Sequence, residues 1–276
     1  MIEKKFGIVG KPLSHSLSPL LHNFWFKKHN IKANYSLIEI EKDKIEYIID
    51  KIRTKKLQGI NVTTPYKQIV IPFLDIIVDD AKKTSSVNTI YLNSKNKIVG
   101  DNTDVYGFDY SFIEKIKNQD LLEKNILILG AGGVAPSIIY SLMKKKIKKI
   151  FISNRTVERA EIIKKKFPFV KVVLWEHINS RSEDMNIIIN ATSLGMKNGD
   201  NFNEPIKKFK TDLLYYDVVY NPLETTMLKN FKMKQIKTFN GLEMFLRQGQ
   251  KSFFLWNKNK PEIDEELKKI IISNIK

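Results

Sequence analysis

The chain has 276 residues, 42% hydrophobic and 28% charged, enough to bury one large or two medium cores and too apolar for a disordered chain. It has no cysteine and only four scattered histidines, which excludes disulfides and thiol nucleophiles and predicts no metal site. The formal net charge is +17, yet only five of the 47 basic residues are arginine and the lysines are dispersed, which predicts solvated helix faces and no nucleic-acid surface.

The opening MIEKKFGIVGKPLS has an apolar stretch too short for a signal-peptide core, and no apolar run approaches membrane-spanning length. Together these predict a cytoplasmic protein with no membrane partner. From residue 6 to residue 100, β-rich runs alternate with helical patterns: FGIVG, SPLLHNFWFKKHN, ANYSLIEI, KDKIEYIIDKIRTKK and GINVTTP. Such alternation predicts an α/β sandwich on a mainly parallel sheet. Ser18 followed by Pro19 predicts a helix start with Ser18 as its N-cap. VNTIYLNSKNKIVG reads as two strands joined by a polar turn.

A second alternation starts near residue 123, with KNILILG, KKIFIS and VKVVLW as strands and VAPSIIYSLMKKK and TVERAEIIKKKF as helices. In the first of these helices Ile138, Ile139, Leu142 and Met143 recur at helical spacing and predict one buried stripe. MNIIINAT and DLLYYDVVY extend this sheet, and the chain from Gly241 onward reads as helical to the end. Between the first strand and the first helix stand Gly130, Ala131, Gly132, Gly133, Val134 and Ala135, a GxGxxA fingerprint. Gly130 allows the tight turn, Gly132 lets backbone approach a pyrophosphate, and Ala135 lets the helix pack closely on the strand. A Rossmann-type dinucleotide-binding domain follows. At the end of its second strand, where an NAD site offers a carboxylate to the ribose, the chain has Asn154, Arg155, Thr156 and Arg159. These donors suit a ribose 2′-phosphate, so NADP is preferred over NAD.

Polar clusters in the N-terminal half, SHSLSP, NVTTPYK, SSVNT and GDNTD, offer hydroxyls, amides, one lysine and one carboxylate to a small polyhydroxylated acid. In this order they resemble the shikimate dehydrogenase family, and the resemblance covers essentially the whole chain. It is carried by PLSHSLSPLLHN, NVTTPYK, VNT, GDNTD, GAGGVA, NRT, NATSLGM, VVYNP and NGLEMFLRQG. The resemblance implies a substrate-binding domain of residues 1–104 with 241–276, and an NADP-binding Rossmann domain of 105–240. The C-terminal helices return to the first domain. It also implies reversible NADPH-dependent reduction of 3-dehydroshikimate to shikimate in aromatic amino-acid biosynthesis, by a monomer or homodimer.

By the same resemblance Ser16 and Ser18 hold the substrate carboxylate, with Tyr220 near it. Asn61, Thr63, Asn88, Asp104 and Gln248 meet the ring hydroxyls, while Val218 and Gly241 lie near the nicotinamide. Lys67 and Asp104 form the acid–base pair, and the sequence does not decide which of them is the formal acid. Three positions depart from the family pattern: Val105 where glycine is common, Ser86 where a smaller residue is common, and the segment WNKNKP. Val105 puts the backbone there in question, because a β-branched residue resists positive φ. Other readings remain: an NAD-using quinate/shikimate dehydrogenase, disfavoured by Arg155 and the serine pair, or a non-catalytic sensor or basic RNA-binding protein on the same fold. A sensor has no need to keep Lys67 and Asp104.

Overall fold

The computed structural model describes residues 3–117, 120–147, 149–196, 199–202 and 206–275. The chain forms two compact units, Met1–Gly107 with Leu246–Asn274, and Phe108–Phe245 with Ile275–Lys276.

In the first unit β1 (Lys4–Gly10) is flanked in parallel by β2 (Ala33–Glu39) and β3 (Gly59–Val62). The sheet continues through β5 (Thr89–Leu92), antiparallel to both its neighbours, and β6 (Ile98–Asp101) to the short β4 (Ile76–Ile77), which is parallel to β6, giving the order β2-β1-β3-β5-β6-β4. Five of the sheet's six strands run in one direction and β5 alone runs against them, so the sheet is mainly parallel, as the alternation predicts. A short polar turn joins β5 to β6, and two strands joined so tightly must run antiparallel. Asn93 holds that turn, its Oδ1 accepting from the amides of Lys95 and Lys97.

Helices cover both faces of this sheet, because successive strand residues point to opposite sides. On one face α2 (Ile45–Arg53) buries Ile45, Ile48, Ile49 and Ile52 against Val9, Ile60, Val62 and Ile90. The i, i+3, i+4, i+7 spacing puts these four isoleucines on a single stripe. On the other face Phe6 and Asn61 meet α1 (Ser18–Lys28) and α9 (Leu242–Asn257), with Phe6 against Phe26 and Trp256. Ser18 is the first residue of α1 and not its cap; Leu17 stands at the cap position, and Ser16 Oγ accepts from the Ser18 amide at 3.3 Å. The C-terminal stretch forms two helices with a break between them. Lys258 turns left-handed (φ 57°), and α10 (Glu265–Ser273) starts only after Asp264, whose carboxylate caps the Leu267 amide. Pro261 lies in the break, and its carbonyl accepts from the buried Gln250.

α3 (Asp79–Thr84) and α4 (Thr103–Ser111) complete the N-terminal run, and the passages between the units fall inside α4 and α9. Val105 is fully buried within α4 and does not adopt positive φ, so the departure from glycine there leaves a regular helix.

The second unit is an all-parallel sheet of β7 (Ile126–Leu129), β8 (Ile150–Ser153), β9 (Lys171–Val172), β10 (Ile187–Asn190), β11 (Leu214–Asp217) and β12 (Lys237–Phe239). Its order is β12-β11-β10-β7-β8-β9, so the connections wind outward in both directions from β7 and leave a switch point between β7 and β10. The four-residue strands β7, β10 and β11 are buried throughout, as strands covered on both faces must be. Helices α5 (Ala135–Lys144), α6 (Val157–Lys166), the short α7 (Ile178–Arg181) and α8 (Thr226–Met233) connect them. VKVVLW yields only the two residues of β9, because this edge strand turns away toward Trp175. The α5 stripe also differs from the sequence reading: Ile138, Ile139 and Leu142 are fully buried but Met143 is 37% exposed. The helix is buried on every side from Ala135 to Leu142, Ser137 and Ser141 included, and exposure begins only in its last turn, at Met143.

Candidate active site

In the first unit, the ends of β3, β5 and β6 bring four of the expected residues into one hydrogen-bonded layer. Lys67 follows β3 and is anchored on both sides: the buried Tyr66 donates its hydroxyl to the Ile40 carbonyl, and the Lys67 carbonyl accepts from the Val87 amide at 2.8 Å. Asp104 sits in the first turn of α4, where a negative charge is favoured by the helix dipole. The Lys67 ammonium donates to Asp104 Oδ2 at 2.6 Å, with the side chains only 13% and 9% exposed. Asn88 Nδ2 donates to the other carboxylate oxygen at 2.9 Å, and Asn88 Oδ1 accepts from the Thr103 amide at 2.8 Å. Asn102 Oδ1 accepts from the Asp104 amide at 3.0 Å while its Nδ2 donates to Thr84 and to the Ser86 carbonyl. Two side-chain amides thus satisfy the first free amides of α4 and fix the carboxylate in direction.

Asn61 is held from all sides. Its Oδ1 accepts from the Tyr35 hydroxyl at 2.8 Å, and its Nδ2 lies within 3.1 Å of the Asn88 carbonyl, Thr89 Oγ1 and Ser252 Oγ. An amide has two N–H donors for those three acceptors, so its remaining capacity is one lone pair on Oδ1. Ser16 and Ser18 lie together at the start of α1, and Thr63 packs its methyl where Gly10 has no side chain. Gln248 is half-buried on α9 and its carbonyl accepts from Ser252. Tyr220 belongs to the second unit, stacked on Phe245 at 4.4 Å.

In the second unit Gly130 leaves β7 with φ +103°, and a Cβ there would lie 2.9 Å from the Ala191 carbonyl group at the end of β10. The turn at the switch point therefore requires glycine. Gly132 differs: a Cβ would meet no protein atom within 4 Å. The protein itself does not exclude a side chain there, but a backbone-hugging pyrophosphate would, and the loop opens α5 with Pro at its start. The loop thus fits a dinucleotide. Asn154 ties it to the strand end, Oδ1 accepting from the Ala131 amide and Nδ2 donating to the Thr156 carbonyl. Arg155 and Arg159 are exposed, and Arg155 lies 3.4 Å from Asp200, a carboxylate supplied by the loop after β10.

Residues 8–90 match the family model described as Shikimate dehydrogenase substrate binding domain, and residues 112–218 match Shikimate / quinate 5-dehydrogenase. A shikimate dehydrogenase (NADP(+)) of Pelagibacter ubique is 46% identical over 265 residues, covering 96% of this chain and 97% of the relative. The chain belongs to the shikimate dehydrogenase family. Among solved structures, a shikimate dehydrogenase in complex with NADP+ superposes with TM-score 0.89 at 36% identity, covering 99% of this chain and 96% of that one. A quinate dehydrogenase from Corynebacterium glutamicum in complex with NAD superposes with TM-score 0.87 at 25% identity, over 98% and 99%. The shikimate dehydrogenase fold thus accounts for both units.

Several residues that shape these sites escaped the sequence reading. Tyr35 and Ser252 are hydroxyl neighbours that no local signal marks, while Thr89 and Thr103 stand inside VNT and GDNTD but gain their individual roles only from which strands pair. Asp217 is different: a lone carboxylate ending the otherwise apolar LLYYD is itself a signal. It is fully buried and accepts from the Asn190 side chain, the Val219 amide and the hydroxyls of Tyr215 and Thr225. Burial pushes its carboxyl up to about 6 against those four hydrogen bonds. Among the described residues, no group of histidines and carboxylates forms a metal site, and no helix is long and apolar enough to cross a membrane.

Proposed function

We propose that the chain is an NADP-dependent shikimate dehydrogenase, interconverting 3-dehydroshikimate and shikimate in aromatic amino-acid biosynthesis. The observation that carries this reading is the buried Lys67–Asp104 pair at 2.6 Å with Asn88 behind it. Burying two charges is costly, and stability alone is a poor reason to keep such a pair. A small acid with ring hydroxyls gives the reason. Ser16 and Ser18 take its carboxylate, and Asn61, Thr63, Asn88 and Gln248 orient its hydroxyls.

NADPH, when bound, supplies the hydride for a ketone carbon. The glycine loop from Gly130 to Ala135 holds its pyrophosphate, and Arg155, Thr156 and Arg159 hold the ribose 2′-phosphate. In the reductive direction the Lys67 ammonium lies against the reacting oxygen, stabilises the alkoxide that develops there and gives it a proton. Asp104 holds the ammonium in line, and Asn88 keeps Asp104 from turning. In the oxidative direction the same pair takes the proton back. The protein acts on small molecules in the cytoplasm, as a monomer or homodimer.

The NAD-using quinate reading is disfavoured by the absence of a carboxylate on the end of β8 and by the paired serines Ser16 and Ser18, just before and at the start of α1. The deciding assay follows cofactor reduction spectrophotometrically with shikimate and quinate, each with NADP and with NAD. Shikimate with NADP is the expected preferred pair. A preference for quinate with NAD would overturn the proposal.

A further inference from the structure

Asp217 takes no part in the chemistry above, yet it is a buried carboxylate that accepts four hydrogen bonds. Its two oxygens are shared between the loops leaving adjacent strands. Oδ1 accepts from Asn190 Nδ2 at 2.9 Å, on β10, and from the Val219 amide at 3.0 Å, just past β11. Oδ2 accepts from Thr225 Oγ1 at 2.9 Å and Tyr215 Oη at 3.2 Å. Asn190 passes the constraint on: its Nδ2 also reaches the Leu194 carbonyl, and its Oδ1 accepts from Thr192. Gly195, left-handed at φ +87°, then packs against Thr225.

The result is a clamp on two consecutive residues. The Val218 amide donates to the Asn190 carbonyl at 3.0 Å, and the Val219 carbonyl accepts from Gly241 at 3.0 Å. Gly241 lies so close that a Cβ there would fall 2.0 Å from the Val218 carbonyl oxygen. A buried carboxylate without a cation is an expensive way to end a strand, and an apolar residue packs there at lower cost. What the carboxylate adds is direction. Four donors converging on it leave the Val218–Val219 backbone a single position.

We infer that Asp217 is a positioning residue for the nicotinamide end of the cofactor, acting through the Val218–Val219 backbone and Gly241. This rests on the proposed reading that Val218 and Gly241 lie beside the nicotinamide. The adenosine half is held elsewhere, by the glycine loop and the β8 end, so the two halves of the cofactor should respond differently.

The experiment compares the full-length protein with D217N and with Y215F, which removes only the longest of the four bonds and spares the fold. Two probes are titrated: NADP, and adenosine 2′,5′-bisphosphate, which lacks the nicotinamide. We expect D217N to lower kcat at least tenfold and weaken NADP severalfold, with the affinity for adenosine 2′,5′-bisphosphate within twofold of the parent. Y215F should move in the same direction by about threefold, a fraction of the loss expected for the whole hydrogen-bonded group. Parallel weakening of both probes in both variants would make Asp217 a general structural residue and overturn the inference. So would unchanged kcat in a folded D217N. Should D217N fail to fold, Y215F decides: kcat and NADP affinity equal to the parent would overturn the inference. Failure of the parent itself to bind adenosine 2′,5′-bisphosphate would instead count against the NADP reading.

Discussion

At the scale of single residues, Lys67 separates catalysis from binding. In the proposed reaction its ammonium meets charge that develops only as the hydride arrives, so its removal should lower kcat far more than it raises KM. Lys67→Ala should lose about 10²- to 10⁴-fold in kcat, the usual contribution of such a group, while still binding shikimate in a calorimetric titration. Lys67→Arg keeps the charge on a wider planar head that does not fit the 2.6 Å contact with Asp104, so it should not restore the parent rate. A Lys67→Ala protein within about threefold of the parent would leave Asp104 as the sole acid–base candidate. Arg155 is tested by cofactor choice. Arg155→Ala should weaken NADPH by about 1 to 3 kcal/mol, the value of hydrogen bonds to a charged group, and spare NADH. Equal losses would show that Arg155 does not read the 2′-phosphate.

At the scale of elements, α1 and β11 each bury a titrating group, and the two pull stability in opposite directions with pH. His22 on α1 is fully buried, stacked on Tyr35 at 4.4 Å, and burial lowers its pKa to about 3 from 6.5. The unfolded chain takes up a proton that the folded one refuses. The stabilisation from His22 is therefore complete above about pH 6.5 and is lost as pH falls toward 3, a swing of roughly 5 kcal/mol. Asp217 runs the other way. Its folded pKa is raised from 3.8 to about 6, so the stability it gives is present below 3.8 and lost as pH rises through 6, by roughly 3 kcal/mol. His22→Phe keeps an aromatic ring in the stack and removes the proton site. Thermal melts from pH 3 to pH 7 should show a much shallower acid limb for this variant than for the parent, and identical acid limbs would mean that His22 titrates normally.

At the scale of the whole molecule, the net charge of +17 acts as a field and not as a contact. Both proposed ligands are anions, so attraction should raise their affinity at low salt and fade as the Debye length shrinks. KM for NADPH and for 3-dehydroshikimate should rise severalfold between dilute buffer and about 0.2 M salt, with kcat unchanged, since the chemistry takes place among buried groups. A KM indifferent to salt would make the lysine excess functionally neutral. Retention on heparin that survives high salt would point instead to a true nucleic-acid surface.

The sequence by itself determined what depends on neighbours along the chain: the alternation of strands and helices, the glycine turn at Gly130, and the polar clusters that hold Lys67, Asn88 and Asp104. These are legible because turn geometry and burial period act over a few residues. Tertiary structure alone decided what depends on pairing. The strand order that aligns β3, β5 and β6 places Asn88 on Asp104 and surrounds Asn61 with Tyr35, Thr89 and Ser252, residues up to 191 positions away. It also brought Asp200 to Arg155, 45 positions away, although no carboxylate stands beside that arginine in the chain. Hydrogen bonds are short and directional while chain separation is not, so a carboxylate, an amide and a hydroxyl become one site only where the folded backbone sets them within about 3 Å of one another.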